Sequence, residues 1–261
     1  MIWLNDRLVD ETENAALIPI SDRSFLLGEG LFETLLTVGS KAVALDRHLA
    51  RLHSGAEVMG LTVPAKDAIA VAVTALLQST LSIAIGRMRI TISGSGTFLI
   101  THQPYKEWSE PAKLVTYPFP FNAKSAMQRV KSTSYGEHLQ AFRYAQDRKA
   151  DDALLFNVAD EVMEASTANV IAHIGGKWVT PPLNSGALPG ITRELLLEWG
   201  LIAERELIFE ELQRCDSIGL VSSLRSVQPV SEINGRKYRT AGKIEELATS
   251  YKGALASNLN P

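Results

Sequence analysis

The chain has 261 residues, of which 46% are hydrophobic and 21% are charged, with 26 Lys and Arg against 29 Asp and Glu. These values are typical of a globular protein and exclude a disordered chain, a collagen-like chain and a disulfide-rich scaffold. The net charge of −3 predicts no binding to nucleic acid or to an anionic membrane. Cys215 is the only cysteine and cannot form an internal disulfide, so we expect a cytoplasmic protein.

Two segments bear on whether the chain is secreted or inserted into a membrane. The N-terminal stretch carries charge at Asp6 and Arg7, where a secretion signal needs its apolar region, so we predict no such signal. The run 68–85 has no charged residue and is as long as a short membrane span. Because Gln78 and Ser79 interrupt its centre, we predict a buried helix followed by a turn, and no membrane partner.

The first part of the chain predicts strands mixed with helices. Residues 31–45 have the pattern of two strands around a turn at Gly39. Apolar residues then recur every three or four positions, which predicts a helix over 46–60 with Asp46 as its N-cap. Alternating apolar and polar residues over 87–93 predict a third strand.

The second part predicts further strands and helices in alternation. The predicted strands are a short one around Val130, then 153–157, 161–166, 169–174, 177–180, 217–221 and one near Val230. The predicted helices are 138–149, 192–200, a short one near Glu210, and 241–255. Two prolines in 117–123 disfavour regular structure there. We therefore predict an α+β (mixed α/β) protein with domains 1–118 and 124–261 joined by 119–123.

A candidate anion site lies in the sequence Leu188-Pro189-Gly190-Ile191-Thr192-Arg193. Gly190 permits a close backbone approach, and the start of the following helix presents N–H groups and a positive dipole end to an anion. Thr192 adds a hydroxyl donor, so the pattern predicts a phosphate site. A plain Pro-Gly turn before a helix is the alternative. Arg51, one turn after Arg47, is the candidate second anchor, with a solvated helix face as its alternative.

Two further residues carry possible chemistry. Glu164 shares a strand face with Val162 and Ser166, so a buried carboxylate would need a partner such as a protonated heterocyclic nitrogen. An exposed strand face is the alternative. Lys131 ends a short predicted strand, and a lysine shielded from water can attack an aldehyde or a ketone. Tyr135 is close enough in sequence to bind a phenolate oxygen, whereas a solvated surface lysine is the simpler alternative for Lys131.

Taken together, these residues resemble the fold-type IV pyridoxal phosphate enzymes. The resemblance is carried by Phe32-Glu33, Arg51-Leu52, Lys131, Glu164-x-Ser166-x-x-Asn169 and the motif 188–193. That group holds branched-chain and D-amino acid aminotransferases, (R)-amine transaminases and aminodeoxychorismate lyases. The resemblance implies a two-domain fold, with a small N-terminal α/β domain and a larger C-terminal domain that contains a mixed, barrel-like sheet.

The same resemblance implies a role for each matching position. Pyridoxal phosphate would be the cofactor, Lys131 would hold it and move the substrate's proton, and Glu164 would pair with its pyridine nitrogen. Tyr135 would bind the ring oxygen. The other implied cofactor-binding residues are Arg51, Ser166, Asn169, Gly190, Ile191, Thr192 and Ser223. No metal is implied. A homodimer is implied, in which one subunit's small domain completes the partner's site.

Within the group, two segments resemble the lyases most. These are Gly28-Glu29-Gly30-Leu31-Phe32-Glu33-Thr34 and the segment 221–230 around Ser222-Ser223-Leu224. We therefore expect a 4-amino-4-deoxychorismate lyase, which gives 4-aminobenzoate and pyruvate. A class IV aminotransferase for branched-chain, D-amino acid or (R)-amine donors is the alternative, and a non-catalytic protein that keeps the fold is a third hypothesis.

The residues that bind the substrate are harder to assign. Lyases and D-amino acid transaminases tend to carry an arginine where this chain has Gly94-Ser95-Gly96. Other residues would then have to meet the substrate, its carboxylates included. The candidates are Phe32, Arg89, His102 and Arg225.

Overall fold

The computed structural model describes residues 1–10, 12 and 17–261. These residues divide into two compact units. Unit 1 comprises the described part of 1–106 together with 130–135 and 259–261, and unit 2 comprises 107–129 and 136–258.

The limits of these units differ from the predicted domain limits in four places. Residues 107–118, predicted in the first domain, belong to unit 2, and 259–261, predicted in the second, belong to unit 1. Residues 119–123, predicted to join the domains, lie inside unit 2. The segment 130–135, assigned by sequence to the large domain, belongs to unit 1. Its backbone follows the strand at 30–38, because the Phe32 amide donates to the Lys131 carbonyl at 3.0 Å.

Unit 1 contains an antiparallel sheet and three helices among its described residues. The strands are β1 (Ile2–Leu4), β2 (Arg7–Val9), β3 (Gly30–Val38), β4 (Lys41–Ala42), β5 (Ile85–Ser93) and β6 (Phe98–Pro104). Their order across the sheet is β2-β1-β6-β5-β3-β4. The helices are α1 (Arg23–Leu27), α2 (Leu45–Met59) and α3 (Lys66–Ser79).

The core of unit 1 lies between α2, α3 and one face of the sheet. Because strand side chains alternate between faces, Leu31 and Leu35 of β3 and Ile90 of β5 point to this core. Helix α3 buries Ile69, Ala72, Val73 and Leu76, which recur with helical spacing. The predicted helix and the turn after it are therefore present in 68–85, but only one face of the helix is buried, and Val71 on the other face is exposed. Within the described ranges, no helix is long and apolar enough to cross a bilayer.

Unit 2 contains a mixed sheet with helices. The strands are β7 (Ala112–Thr116), β8 (Asp152–Phe156), β9 (Val162–Ala165), β10 (Asn169–Ile174), β11 (Lys177–Thr180), β12 (Ala203–Glu204), β13 (Ser217–Ser222), β14 (Ser226–Ile233) and β15 (Arg236–Lys237). The sheet order is β12-β11-β10-β13-β14-β7-β8-β9, with β15 paired to β14. The helices are α4 (Gly136–Asp147), α5 (Ile191–Glu198), α6 (Phe209–Leu212) and α7 (Lys243–Ser257).

Helices of unit 2 pack against different strands of its sheet. Helix α7 packs against β13 and β14, whereas α4 packs against β8. The β7 strand runs parallel to both of its neighbours, β14 and β8, and most other pairs are antiparallel. All four residues of β9 are buried, which places Glu164 inside the protein rather than on an exposed strand face.

Two local predictions were wrong. Helix α2 is preceded by Ala44 in a left-handed conformation, so Asp46 lies in the first turn and is not the N-cap. The Asp46 amide is instead bound by the Asn260 side chain at 3.1 Å. No strand forms around Val130, because pairing of this segment with β3 is limited to a single bridge between Leu31 and Ser132.

Candidate active site

Lys131 lies beside an aromatic pair in unit 1. Its Nζ is 4.6 Å from the centre of the Phe32 ring and 5.7 Å from that of Tyr135. The two rings meet edge to face, with centres 5.3 Å apart. Phe32 is buried in β3, so the amine is held against a rigid apolar surface. The structure thus brings together three of the predicted site residues.

Arg89 joins the same group from the neighbouring strand. Thr34 and Arg89 are directly paired between β3 and β5, which puts the Arg89 side chain on the Phe32 face of the sheet. Its Cζ lies 3.8 Å from the centre of the Phe32 ring. Burial lowers the pKa of Arg89, an effect that Tyr135 opposes, but an arginine keeps its charge at neutral pH. A guanidinium and an amine therefore share one aromatic ring.

His102 does not belong to this group. Met88 is its partner across β5 and β6, whereas Arg89 pairs with Thr101, so His102 and Arg89 point to opposite faces of the sheet. Both ring nitrogens of His102 are hydrogen-bonded to threonine hydroxyls, at 2.8 Å to Thr37 and 2.7 Å to Thr80. The predicted contact of His102 with a substrate is contradicted by this packing, since both ring nitrogens are used inside the unit.

Arg51 is held by the buried Glu33, which also contacts the buried His48, and neither residue was predicted as a site residue. Its Nε and Nη2 donate to the two carboxylate oxygens of Glu33, at 2.8 and 2.5 Å. His48 Nδ1 lies 2.6 Å from the same carboxylate. Burial alone would raise the pKa of Glu33, but Arg51 and His48 lower it to about 2. Glu33 is an ion in the core face of β3, between Leu31 and Leu35.

Glu164 is the buried carboxylate of unit 2. Its Oε2 accepts hydrogen bonds from the Asn169 side chain at 3.0 Å and from the Leu188 backbone at 3.1 Å. Its Oε1 lies 3.6 Å from Nε2 of His138 in α4. The His138 ring in turn packs edge to face against Phe121. Glu164 and Asn169 were predicted site residues that the structure brings together, and His138 was missed because no spacing rule links it to Glu164.

The predicted phosphate motif begins α5. Gly190 is the N-cap residue and, having no side chain, does not itself cap the backbone N–H groups that follow it. A Cβ atom at Gly190 would overlap the side-chain oxygen of Asn169, which sits directly over this turn. The Thr192 hydroxyl is buried and lies 3.2 Å from the Tyr251 hydroxyl of α7. Ser223, in the turn after β13, is half-buried.

Arg225 has a different role from the predicted one. Its guanidinium donates to Asp152 at 2.9 Å, to Gln228 at 2.5 Å and to Thr167 at 3.1 Å. The side chain is only 4% exposed. The prediction of Arg225 as a substrate-binding cation is corrected, because buried partners occupy its donors. The Ser166 hydroxyl also donates to Asp152, so it belongs to the same buried network.

The comparisons with known proteins identify the family. The family model "Amino-transferase class IV" matches residues 30–233. The chain belongs to the class IV aminotransferase family. Members of this family are pyridoxal phosphate-dependent aminotransferases and lyases, which confirms the predicted enzyme class and cofactor.

Class IV relatives fall on both sides of the predicted choice of reaction. A Schizosaccharomyces pombe protein assigned as an aminodeoxychorismate lyase is 30% identical over 204 residues, which cover 76% of this chain and 87% of the relative. A Methanocaldococcus jannaschii protein assigned as a branched-chain-amino-acid aminotransferase is 26% identical and is matched over 90% of this chain and 88% of its own.

A solved class IV structure has the same fold. The branched-chain aminotransferase of Thermoproteus uzoniensis superposes with a TM-score of 0.90 at 25% identity, covering 98% of this chain and 94% of the other. This similarity confirms the predicted fold-type IV architecture.

The residues on each unit fit the functional groups of pyridoxal phosphate. In unit 2, a buried carboxylate suits the protonated ring nitrogen, and a helix start with glycine as its N-cap residue suits the phosphate. In unit 1, the amine of Lys131 suits the aldehyde, and Tyr135 beside it has a hydroxyl that suits the ring oxygen. These matches support the implied roles, which remain predictions.

Proposed function

We propose that this protein is a pyridoxal phosphate-dependent 4-amino-4-deoxychorismate lyase that releases 4-aminobenzoate and pyruvate. The observation that carries the proposal is the position of Arg89 beside Lys131 on the Phe32 ring, because it puts a cation for a substrate carboxylate next to the proposed proton carrier. The 30% identical Schizosaccharomyces pombe relative and the lyase-like segments 28–34 and 221–230 support the same choice.

Lys131 is the proposed proton carrier. Bound pyridoxal phosphate supplies an electron sink for the carbon that bears the substrate's amine. Lys131 takes the proton from that carbon, the bond to the enolpyruvyl oxygen breaks, and the ring becomes aromatic. The departing group is the enolate of pyruvate, which gains one proton at its terminal carbon, so the proton removed from the ring carbon is balanced.

The other residues bind and orient. Glu164 accepts the hydrogen bond of the ring nitrogen, and its own orientation is fixed by Asn169 and the Leu188 backbone. Arg51, Ser223 and the start of α5 from Gly190 to Thr192 hold the phosphate. Tyr135 binds the ring oxygen, and Arg89 binds a substrate carboxylate next to Phe32.

The aminotransferase is the second candidate. The Methanocaldococcus jannaschii relative, matched over 90% of this chain, and the TM-score of 0.90 to a branched-chain aminotransferase favour it. In that reaction Lys131 would again take the proton from the substrate carbon, pyridoxal phosphate would carry the amino group, and a 2-oxo acid would be the acceptor. We also propose a homodimer and a cytoplasmic location, as the resemblance and the single cysteine imply.

One assay separates the candidates. The purified protein is loaded with pyridoxal phosphate and given 4-amino-4-deoxychorismate without an amino acceptor, and 4-aminobenzoate is measured by its fluorescence. Formation of 4-aminobenzoate supports the lyase. Failure to form it, together with conversion of the cofactor to its amine form by a donor and reversal by pyruvate, supports the aminotransferase. Protein that stays colourless with pyridoxal phosphate would refute both and leave the non-catalytic hypothesis.

A further inference from the structure

We propose that Glu33 positions Arg51 for the cofactor's phosphate and that His48 fixes Glu33 in turn. The inference rests on the proposed function, in which Arg51 is a phosphate anchor. The three residues lie within unit 1, with Glu33 on β3 and the other two on α2.

The bond between Arg51 and Glu33 restricts the guanidinium to one orientation. Two parallel hydrogen bonds, from Nε and from Nη2, reach the two oxygens of one carboxylate. Such a pairing prevents the guanidinium plane from rotating and turns the Nη1 edge away from Glu33. An arginine held in this way loses little further side-chain freedom when it binds an anion.

His48 completes the arrangement. Glu33 Oε2 accepts from both Arg51 Nη2 and His48 Nδ1, so the carboxylate is fixed from two directions. Burial lowers the pKa of His48, although Glu33 opposes this, so the imidazole is neutral and donates its Nδ1 proton. A neutral His48 leaves the cluster with one negative and one positive charge, and adds no cation that would compete with Arg51 for the carboxylate.

Packing alone does not require this cluster. A buried ion pair costs desolvation, and apolar residues of similar volume often replace one without loss of stability. The neighbours of Glu33 on this face of β3, Leu31 and Leu35, are apolar and fully packed. A carboxylate at this position is therefore better explained by the orientation that it imposes on Arg51.

The test compares two ligands that differ only in the phosphate. The apoprotein is titrated with pyridoxal phosphate and with pyridoxal, and both dissociation constants are read from absorbance, without any assay of activity. We expect Glu33→Gln to reduce the preference for pyridoxal phosphate over pyridoxal by about tenfold or more, because a hydrogen bond to a charged group is weakened. Pyridoxal itself should bind within about twofold of the wild type.

Two variants calibrate the result. Arg51→Lys reports how much of the phosphate preference depends on the guanidinium of Arg51. Arg47→Gln is the matched control, because Arg47 lies one turn earlier on α2 and donates to the Pro261 carbonyl at 2.8 Å. It should leave the preference unchanged. If Glu33→Gln does not fold, His48→Phe removes the second donor to Glu33 and should reduce the preference in the same direction.

The outcomes distinguish this inference from the proposed function. If Glu33→Gln weakens both ligands equally, or leaves the preference for pyridoxal phosphate unchanged, Glu33 does not position Arg51 and the inference is wrong. If only His48→Phe leaves the preference unchanged, the role of His48 in fixing Glu33 is wrong. If the wild type shows no preference for pyridoxal phosphate, or Arg51→Lys does not reduce it, the phosphate role of Arg51 fails first and the inference fails with it.

Discussion

Nε2 of His138 lies 3.6 Å from Oε1 of Glu164, and the second oxygen of the same carboxylate is bound by Asn169 and the Leu188 backbone. The carboxylate thus has one anchored oxygen and one that faces an imidazole. This division suits a group that must accept a hydrogen bond from a ring nitrogen without turning away from it.

Glu164→Gln should reduce kcat on the order of 100-fold, because a neutral amide no longer favours the protonated ring nitrogen. The cofactor should still bind, since Lys131 is unchanged, and its absorbance checks this. The control is Glu161→Gln, because Glu161 bonds to Asn157 instead and its loss should leave kcat within about twofold. Equal effects in both variants would contradict the assigned role.

Lys131→Ala should abolish turnover. The amine that binds the cofactor aldehyde and carries the proton is then missing, while the phosphate-binding residues remain. After dialysis against inorganic phosphate, a thermal melt should show that the variant is folded. Lys66→Ala, an exposed lysine at the start of α3, is the control and should keep full activity. Turnover by the Lys131 variant would refute the mechanism.

Arg89→Gln should raise KM for a carboxylate substrate by about 10- to 100-fold, the cost of losing hydrogen bonds to a charged group. Arg87 offers a close control, because it lies two residues earlier on the same face of β5 and donates to Gln103 at 2.9 Å. Arg87→Gln should change KM little. A KM that rises equally in both variants would indicate general electrostatic attraction rather than a specific contact.

Glu33 should make the free energy of unfolding depend on pH in the acid range. Its folded pKa of about 2 lies below the ordinary value of 4.5, so the unfolded chain binds a proton at a higher pH than the folded protein. The contribution, about 3 kcal/mol, is fully present above pH 4.5 and disappears as the pH falls towards 2. Urea unfolding between pH 6 and 3 should show a smaller loss in Glu33→Gln than in wild type, whereas Glu57→Gln on α2 should follow the wild type.

Arg225→Met should lower the free energy of unfolding by about 3–5 kcal/mol, because it leaves the Asp152 carboxylate buried without its cation. The double variant Asp152→Asn with Arg225→Met should lose less than the sum of the single variants. Urea unfolding measures both. A stable Arg225→Met variant whose only defect is a raised KM would restore the substrate-binding role.

Local patterns predicted the elements of the fold but not the contacts between distant segments. The spacing of Leu49 and Leu52 predicted α2, because helical periodicity involves only residues that are close in sequence. The amide of Asp46 in the first turn of that helix donates to Asn260, 214 residues away in the chain, and no local rule shows such a partner.

The candidate site likewise combines residues that local motifs predict with residues whose roles depend on distant contacts. Lys131, Glu164 and Thr192 could be proposed from the sequence because their motifs are local. The roles of Arg225 and His102 could not be predicted from local motifs. The burial of Arg225 involves Asp152, 73 residues away, and the orientation of His102 depends on strand register. Glu33 did carry a local signal, since a charged residue stands among apolar residues on the core face of β3.

Close packing at the Gly190 turn makes the side-chain sizes at positions 190 and 169, which are 21 residues apart, depend on each other. The Gly190 φ of −72° is open to any residue, so space alone, and not backbone angle, requires a glycine there. The side chain of Asn169 fills that space and also steadies Glu164. Across natural variants, we expect a larger residue at position 190 to occur only together with a smaller one at position 169, with a changed environment of the carboxylate as the result.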